Sequence, residues 1–278
     1  MTEAVPAQTH MDFTLGRPKR SLSQNFLIDV NIQKRIVNAL AAGPTDEVVE
    51  IGPGRGALTS HLEGMVSKLI LIELDDELAD MWSAKYREHE GVQVLRGDVL
   101  KIPFWESVQD PSRVCVIGNI PYNITSPIIF RLLERPRPKS ILLTVQKELA
   151  ERITAPVGSK EYGALSVGVR SVAKVEKLFE IGRNAFRPKP EVDSSVIRIV
   201  PMRPEPLSFD QELSLRTLVR SAFQWRRKQI KKILRDHHEL NIQPDRIEKI
   251  GIQAKINLTD RPERLSPDAF LRLVATLQ

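Results

Sequence analysis

Short apolar runs alternate with amphipathic stretches over the first half of the chain, and this alternation restricts the fold more than any other feature. Each run is too short to form a buried helix, whereas the stretches between the runs have helical periodicity. The apolar runs lie at 48–51, 69–74, 92–95, 114–117 and 141–145. The alternation predicts an α/β fold, in which helices cover a parallel sheet.

The rest of the chain divides around this predicted sheet. Strand-like runs at 175–181 and 195–200 flank a proline-rich loop, and we expect them to close the sheet as an antiparallel hairpin. After Met202 the pattern changes to helices, one of which should begin at Ser266-Pro-Asp268, an N-cap followed by a first-turn proline. We predict a flexible basic leader at 1–19, a sheet domain at 20–201 and a helical domain at 202–278.

Composition limits the class of protein. The chain of 278 residues has one cysteine, Cys115, which excludes intrachain disulfides and cysteine-cluster zinc sites. The five histidines show no metal-binding spacing, so we expect no metal. No apolar run is long enough for a membrane span or a signal peptide, which favours a cytoplasmic protein. The net charge of +6 favours a polyanionic partner, and most of the positive excess lies beyond Met202.

A glycine-rich loop and two acidic residues follow successive predicted strands. The loop Glu50-Ile-Gly-Pro-Gly-Arg-Gly56 comes directly after the first strand and precedes a helical stretch. Its glycine spacing differs from the dinucleotide fingerprint, which makes a nicotinamide-dependent oxidoreductase the weaker alternative. Glu73 ends the second strand, where a carboxylate can accept both ribose hydroxyls, and Asp98 follows the third, where it can accept from an adenine amine. Taken singly, each acid is a helix cap or a loop charge; together they fit S-adenosylmethionine.

The stretch Gly118-Asn-Ile-Pro-Tyr122 follows the fourth apolar run, so it should lie at the carboxyl end of a strand, where α/β sheets bind ligands. These residue types suit methyl transfer to a planar amino nitrogen, whose lone pair is shared with its ring. The side-chain oxygen of Asn119 and the carbonyl of Ile120 can accept the two N–H bonds. Tyr122 can stack on the base. A strand-to-loop turn with a packed tyrosine explains the five residues nearly as well.

Three further segments are open to two interpretations each. The segment 23–27 has no chemical signature of its own and reads as a helix-capping segment. Phe186, in the proline-rich loop, either packs beneath the loop or stacks on an extruded base. The stretch 223–228 and the two lysines after it are expected to form a basic helix, either solvated or bound to RNA phosphates. The candidate phosphate-binding residues are Arg226, Arg227, Lys228, Lys231 and Lys232.

From about Arg20 to its C-terminus, the sequence resembles the small-subunit rRNA adenine-N6,N6-dimethyltransferases, the KsgA/Dim family. The matching blocks lie at 24–29, 50–59, 118–127, 146–152, 159–163 and 186–195. The resemblance implies a Rossmann-like class I S-adenosylmethionine-dependent methyltransferase sheet with a small C-terminal helical domain. It also implies dimethylation of two adjacent adenines in a hairpin near the 3′ end of small-subunit rRNA, coupled to ribosome biogenesis. The implied partner is a small-subunit precursor, and we expect a monomer.

The resemblance also assigns roles to individual residues. It implies that the cofactor is bound by Asn25, Leu27, Gly52, Glu73, Asp98 and Asn119. It implies that Asn119, Tyr122 and Phe186 hold the target adenine, with Phe186 as the second stacking partner. Amine attack on the sulfonium methyl would need no general base, because the quaternised nitrogen can lose its proton to water.

Three residues depart from the small-subunit pattern: Ser23, Ile120 and Trp225. The first two resemble the Erm-type large-subunit rRNA methyltransferases, which share the fold and modify one adenine. The block at 159–163 resembles the small-subunit enzymes, and we keep that assignment. A non-catalytic ribosome assembly factor is the alternative from a different functional class, and the intact set of cofactor-binding residues argues against it.

Overall fold

The computed structural model describes residues 24–277, so the leader at 1–19 and Ser23 lie outside the described residues. The strands are β1 (Phe26–Leu27), β2 (Glu47–Ile51), β3 (Lys68–Glu73), β4 (Val92–Arg96), β5 (Val114–Asn119), β6 (Ser140–Gln146), β7 (Ala173–Ile181), β8 (Phe186–Arg187) and β9 (Ser194–Pro201). The helices are α1 (Val30–Leu40), α2 (Thr59–Leu62), α3 (Asp76–Lys85), α4 (Thr125–Leu132), α5 (Lys147–Thr154), α6 (Ala164–Arg170), α7 (Phe209–Gln224), α8 (Ile230–Asp236), α9 (Pro244–Ala254) and α10 (Pro267–Thr276).

Seven strands form one mixed sheet in the order β4-β3-β2-β5-β6-β9-β7. The pairs among β2 to β6 are parallel, whereas β9 runs antiparallel to both β6 and β7. The expected antiparallel closure of the sheet is therefore confirmed. The strand order reverses between the neighbours β2 and β5, because the chain continues from β2 to β3 on one side and from β5 to β6 on the other. A crevice is expected at that switch point, outside the carboxyl ends of the strands.

Apolar side chains on both faces of the central strands hold the sheet in place. Val49, Ile70 and Val116 pack on one face, while Val48, Leu71 and Ile117 pack on the other with α1 and α3. Strands buried on both faces read as unbroken apolar runs, which is why their positions could be predicted.

The helices after residue 201 enclose a separate apolar core around Leu218, Phe270 and Ile233. Residues before 201 also enter this core: Tyr162 is fully buried in it and donates a 2.8 Å hydrogen bond to the carbonyl of Leu265. The helical unit thus packs tightly against the segment just before α6.

Helix ends follow local sequence rules. Asp29 caps α1 by accepting from the backbone N–H groups of Asn31 and Ile32. Ser266 caps α10, as predicted. The expected basic helix at 223–228 is wrong: α7 ends at Gln224, and a turn joins it to α8.

Candidate active site

A cavity of about 1280 Å³ opens at the carboxyl ends of β2, β3 and β5, beside the switch point. The sequence-predicted residues that line it come from five separate stretches of chain. They are Asn25, Leu27, Gly52, Glu73, Asp98, Asn119 and Tyr122. The structure therefore brings together residues spread over nearly 100 positions of sequence.

The glycine-rich loop forms one wall of this cavity. Gly54 has a φ of +55°, and a Cβ there would lie 3.1 Å from the ring of Phe26, so this position favours glycine. The Gly54 backbone N–H donates a 3.0 Å hydrogen bond to Glu73. At Gly52, with a φ of +66°, a Cβ would meet no atom within 4 Å, because the residue faces open space. The loop leaves its backbone accessible to a ligand.

Glu73 ends β3 with a buried carboxyl that is held in a fixed orientation. One oxygen accepts from the Gly54 N–H, and the other accepts from the Asp75 N–H at 2.9 Å. Burial raises the pKa of Glu73, and these backbone hydrogen bonds oppose that rise. Each carboxylate oxygen has a second lone pair, so the group retains the capacity to accept hydroxyl donors from a ligand.

Asp98 stands at the edge of the cavity after β4. Its Oδ1 accepts a 3.0 Å hydrogen bond from the backbone N–H of Leu100, which fixes the carboxylate at the start of the following turn. Lys101 Nζ lies 3.8 Å from its Oδ2. Asp98 is more exposed than Glu73, so the amine of a ligand in the cavity can reach its carboxylate.

Asn119 is the last residue of β5, and its amide is oriented by a contact with the N-terminal segment. The Asn119 Nδ2 group donates a 3.0 Å hydrogen bond to the backbone carbonyl of Asn25. This bond assigns the nitrogen and leaves the side-chain oxygen as an acceptor. The following Ile120 is buried, and Pro121 lines the cavity. Isoleucine at position 120 thus fits the core without opening a gap beside Asn119.

Tyr122 lies in the single turn of 3₁₀ helix after Pro121, and it lines the cavity. Its hydroxyl is 2.6 Å from Ser194 Oγ, at the start of β9. Burial raises the pKa of the Tyr122 phenol, so the hydroxyl stays protonated at neutral pH. The hydrogen bond fixes one end of the ring and leaves a stacking surface at the cavity.

Phe186 lies away from the cavity. Its ring is 0% exposed and packs in the core with Leu27, Ile117 and Val196. The short strands β1 and β8 pair antiparallel, with Leu27 opposite Phe186, and the neighbouring Arg187 and Pro188 line the cavity instead. A sandwich of Tyr122 and Phe186 is therefore not assembled in this structure, and a stacking role for Phe186 stays a prediction.

Glu50 is a cavity residue that the sequence reasoning missed. It is 1% exposed and accepts a 2.8 Å hydrogen bond from the hydroxyl of Thr59. Burial raises the pKa of Glu50 to about 8, and the nearby Glu73 carboxyl adds to this rise. An acid within a buried apolar strand, directly before a glycine-rich loop, is the signal that points to it.

The five basic residues of the helical unit lie far from this cavity in sequence and differ in their contacts. Arg226 bonds to Glu263 and to the carbonyl of Ser159. Lys231 pairs with Glu248, and Lys232 pairs with Asp236. Arg227 and Lys228 are exposed in the turn after α7 and form no ion pair within residues 24–277. Of the five basic residues, these two have the charged groups that are most available to a binding partner.

Trp225, the third departure from the small-subunit pattern, directly follows the last residue of α7, and its ring meets that of His237 edge-on, with the ring centroids 5.1 Å apart. His237, His238 and Glu239 bring their ligand atoms within 4.8 Å of one another. Both ring nitrogens of His237 already have partners, Gln224 and the backbone N–H of Glu239.

No described helix has both the length and the apolarity to cross a membrane.

A mixed sheet with parallel central strands and a crevice at its switch point defines a Rossmann-like methyltransferase, together with a glycine-rich loop after β2 and acids at the next two strand ends. Comparison with known proteins places the chain more narrowly. The family model described as "Ribosomal RNA adenine dimethylase" matches residues 16–278, and the chain belongs to that family.

Relatives and solved structures agree with this placement. Proteins named "Ribosomal RNA small subunit methyltransferase A" from Chlorobaculum parvum and Prosthecochloris aestuarii are 40% and 43% identical; the matches cover 96% and 80% of this chain and 94% and 84% of theirs. A dimethyladenosine transferase from Plasmodium falciparum aligns with a TM-score of 0.73 and 28% identity, over 89% of this chain and 95% of that one. The 23S rRNA methyltransferase ErmE gives 0.69 and 26%, over 91% and 99%.

Proposed function

We propose that this protein dimethylates N6 of two adjacent adenines in a hairpin near the 3′ end of small-subunit rRNA. The observation that carries the proposal is the orientation of Asn119: its nitrogen is bonded to Asn25, and its oxygen remains as an acceptor beside the cavity. The names of the relatives at 36–43% identity support the small subunit as the target. They favour it over the large-subunit alternative that Ser23 and Ile120 suggested.

The residues present fit S-adenosylmethionine as the methyl donor. Glu73 offers two oriented carboxylate oxygens to ribose hydroxyls, and Asp98 offers an acceptor to the adenine amine. The open backbone at Gly52 and the segment that contains Asn25 and Leu27 complete the lining. When bound, this cofactor supplies an electrophilic methyl group on a positively charged sulfur.

The protein makes the target amino nitrogen reactive by accepting hydrogen bonds from its two N–H groups. In this proposal the Asn119 oxygen and the Ile120 carbonyl accept the two N–H bonds of the adenine amine, which localises the nitrogen lone pair. Pro121 has no N–H to compete for these acceptors. Tyr122 presents its ring to the base, with its hydroxyl held by Ser194. The amine proton is released to water, so no side chain has to serve as a general base.

Phe186 becomes a second stacking partner only if its ring leaves the core, because it is fully buried beside Leu27 in this structure. Pairing of β1 with β8 joins that ring to the segment that contacts Asn119. Movement of the proline-rich loop when RNA binds would expose Phe186 to the flipped base.

The helical unit at 202–278 is proposed to dock the RNA, with Arg227 and Lys228 as its most available phosphate contacts. Arg226, Lys231 and Lys232 would first have to give up protein partners. The proposed partner is a small-subunit precursor, and modification would be coupled to its assembly. The protein is proposed to act as a monomer in the compartment where ribosomes are assembled, the cytoplasm in bacteria.

The proposal is tested by incubating the protein with labelled S-adenosylmethionine and three substrates separately: undermethylated small subunits, free small-subunit rRNA and large-subunit rRNA. The RNA is then digested to nucleosides. Dimethyladenosine in the small-subunit particle is the expected result. Label in large-subunit rRNA would instead indicate the Erm-type activity, and tight particle binding without label would indicate an assembly factor.

A further inference from the structure

Glu50 carries a buried carboxyl group for which the proposed methyl transfer has no use. It is the fourth residue of β2, and it lines the same cavity as Asn119 and Glu73. A buried acid costs free energy unless it is neutral or well paired. Its hydrogen bonds come from Thr59, a neutral residue, and the neighbouring charge comes from another acid, Glu73. Such surroundings favour a carboxyl that holds its proton while the cavity is empty.

The register of the sheet places Glu50 beneath the reacting groups. Its Cα is opposite Leu71 on β3 and Ile117 on β5. Because side chains alternate along a strand, Glu50, Glu73 and Asn119 all project from the same face of the sheet. Asn119 lies one strand across and two residues further along, which separates the two Cα atoms by about 8 Å.

A methyl donor that serves an amine held at Asn119 therefore brings its charge close to Glu50. The sulfonium of S-adenosylmethionine is positive, and it is bonded directly to the transferred methyl group. S-adenosylhomocysteine, the product left after transfer, has a neutral thioether at the same place. The two ligands share their adenosine and amino-acid parts. Near Glu50 they therefore differ by one unit of positive charge.

We propose that Glu50 gives up its proton when the sulfonium cofactor binds and keeps it when the thioether product binds, so that this residue makes the cavity prefer cofactor over product. The inference rests on the proposed function. The proton passes to solvent, and no bond of the cofactor is made or broken in the exchange. The cavity gains one positive and one negative charge together, which keeps the buried site electrically balanced.

The change in the Glu50 pKa on cofactor binding depends on the groups that face its carboxyl. Its pKa of about 8 reflects burial first; Thr59 lowers it, and Glu73 raises it. The phenol of Tyr86, the residue just after α3, is close enough for the two groups to interact, and it remains protonated because burial, Glu63 and Glu50 raise its pKa. With the Cα separation of Glu50 and Asn119, about 8 Å, taken as the distance to the sulfonium, a unit positive charge lowers a carboxyl pKa by about 1.5 in an effective dielectric of about 20.

Proton counting by calorimetry tests the inference on the unmodified protein. Heats of binding are measured for both ligands in phosphate and in Tris, whose ionisation enthalpies differ, at about pH 7.2. S-adenosylmethionine is expected to release about 0.7 proton more than S-adenosylhomocysteine, because its charge lowers the pKa of Glu50 from about 8 by about 1.5. The ratio of the two affinities should then rise in favour of the cofactor by about sixfold between about pH 6 and about pH 7.5.

Two variants assign the proton. Glu50→Gln keeps the acceptor for Thr59 but has no proton to lose, so both the extra proton and the pH dependence of the affinity ratio should vanish. Glu47→Gln is the matched control: it changes a buried carboxyl on the same strand that does not line the cavity. It should behave like the unmodified protein.

Equal proton release with the two ligands, or extra release that persists in Glu50→Gln, would overturn the inference. The unmodified protein decides the first point even if Glu50→Gln does not fold. Normal cofactor binding and rRNA methylation without extra proton release would overturn the role of Glu50 alone. Failure to bind S-adenosylmethionine at all would overturn the proposed function as well.

Discussion

The side-chain nitrogen of Asn119 donates a 3.0 Å hydrogen bond to the backbone carbonyl of Asn25, which joins the end of β5 to a segment 94 positions earlier in the sequence. The bond orients the amide that is proposed to hold the target amine. It also ties down the chain segment that leads to Leu27, on the wall of the cavity. One contact thus orients the proposed amine acceptor and holds a segment that is proposed to bind the cofactor.

Replacing Asn119 by Ala should lower the methylation rate by roughly 100-fold or more, because the amine loses an acceptor fixed in place. The fold should persist, since the residue is only partly buried. Rate and melting temperature are measured together. Asn38→Ala, on the exposed side of α1, is the matched control and should leave both unchanged. A normal dimethylation rate in the Asn119 variant would remove this residue from the mechanism.

Phe186 can be tested for two roles with two substitutions. Phe186→Ala removes a fully buried ring and should lower the free energy of unfolding by about 3–5 kcal/mol. Phe186→Leu keeps most of the apolar volume and should cost less than about 1.5 kcal/mol. If the ring also stacks on the base, the leucine variant should fold yet methylate slowly. A leucine variant with full activity would leave Phe186 as a core residue only.

Burial on both faces made the strands predictable, because each central strand is a continuous apolar run such as 114–117. The candidate cofactor residues were predictable for a related reason. Parallel strands end at one edge of the sheet, so Glu73, Asp98 and Asn119 had to approach one another once the strands were placed.

The position of Phe186 could not be predicted locally. It depends on pairing of two-residue strands 160 positions apart, Phe26–Leu27 with Phe186–Arg187, and such short strands leave no periodic signal. The raised pKa of Glu50 depends on its burial and on the approach of Glu73, and both come about only on folding. The basic stretch at 223–228 was misjudged because its charges resemble a helix face, while α7 in fact ends at Gln224.

Arg227 and Lys228 should contribute to RNA binding through phosphate contacts. The double substitution to Ala is expected to weaken binding and to reduce the slope of log affinity against log salt by about 1.5. Affinity is measured over a series of salt concentrations. Arg226→Ala is the informative control: it breaks bonds to Glu263 and Ser159, so it should alter stability more than the salt slope. A slope unchanged by the double substitution would make the turn a solvated surface.

A buried ion pair joins the loop before β6 to the helical unit. The free energy of unfolding that is lost when the pair is removed should depend on whether one partner or both are replaced. Arg137, after α4, lies 2.8 Å from Glu212 of α7, and the side chain of Arg137 is 1% exposed. Glu212→Ala leaves that buried cation with only its longer, 3.8 Å contact to Glu205, and it should lower the free energy of unfolding by about 3 kcal/mol. The double change Arg137→Met with Glu212→Leu should recover most of this loss, since no buried charge is left without its partner.

Denaturant unfolding of the single and double variants measures the difference. The exposed pair of Arg216 and Glu134 provides the comparison, and Arg216→Ala should cost at most about 1 kcal/mol. Arg135 also bonds to Glu212 and to Glu205, so Glu205 retains a partner for it in the double variant. A double variant as unstable as Glu212→Ala would mean that the contact between the two units needs the charges themselves, and not only a filled and electrically balanced space.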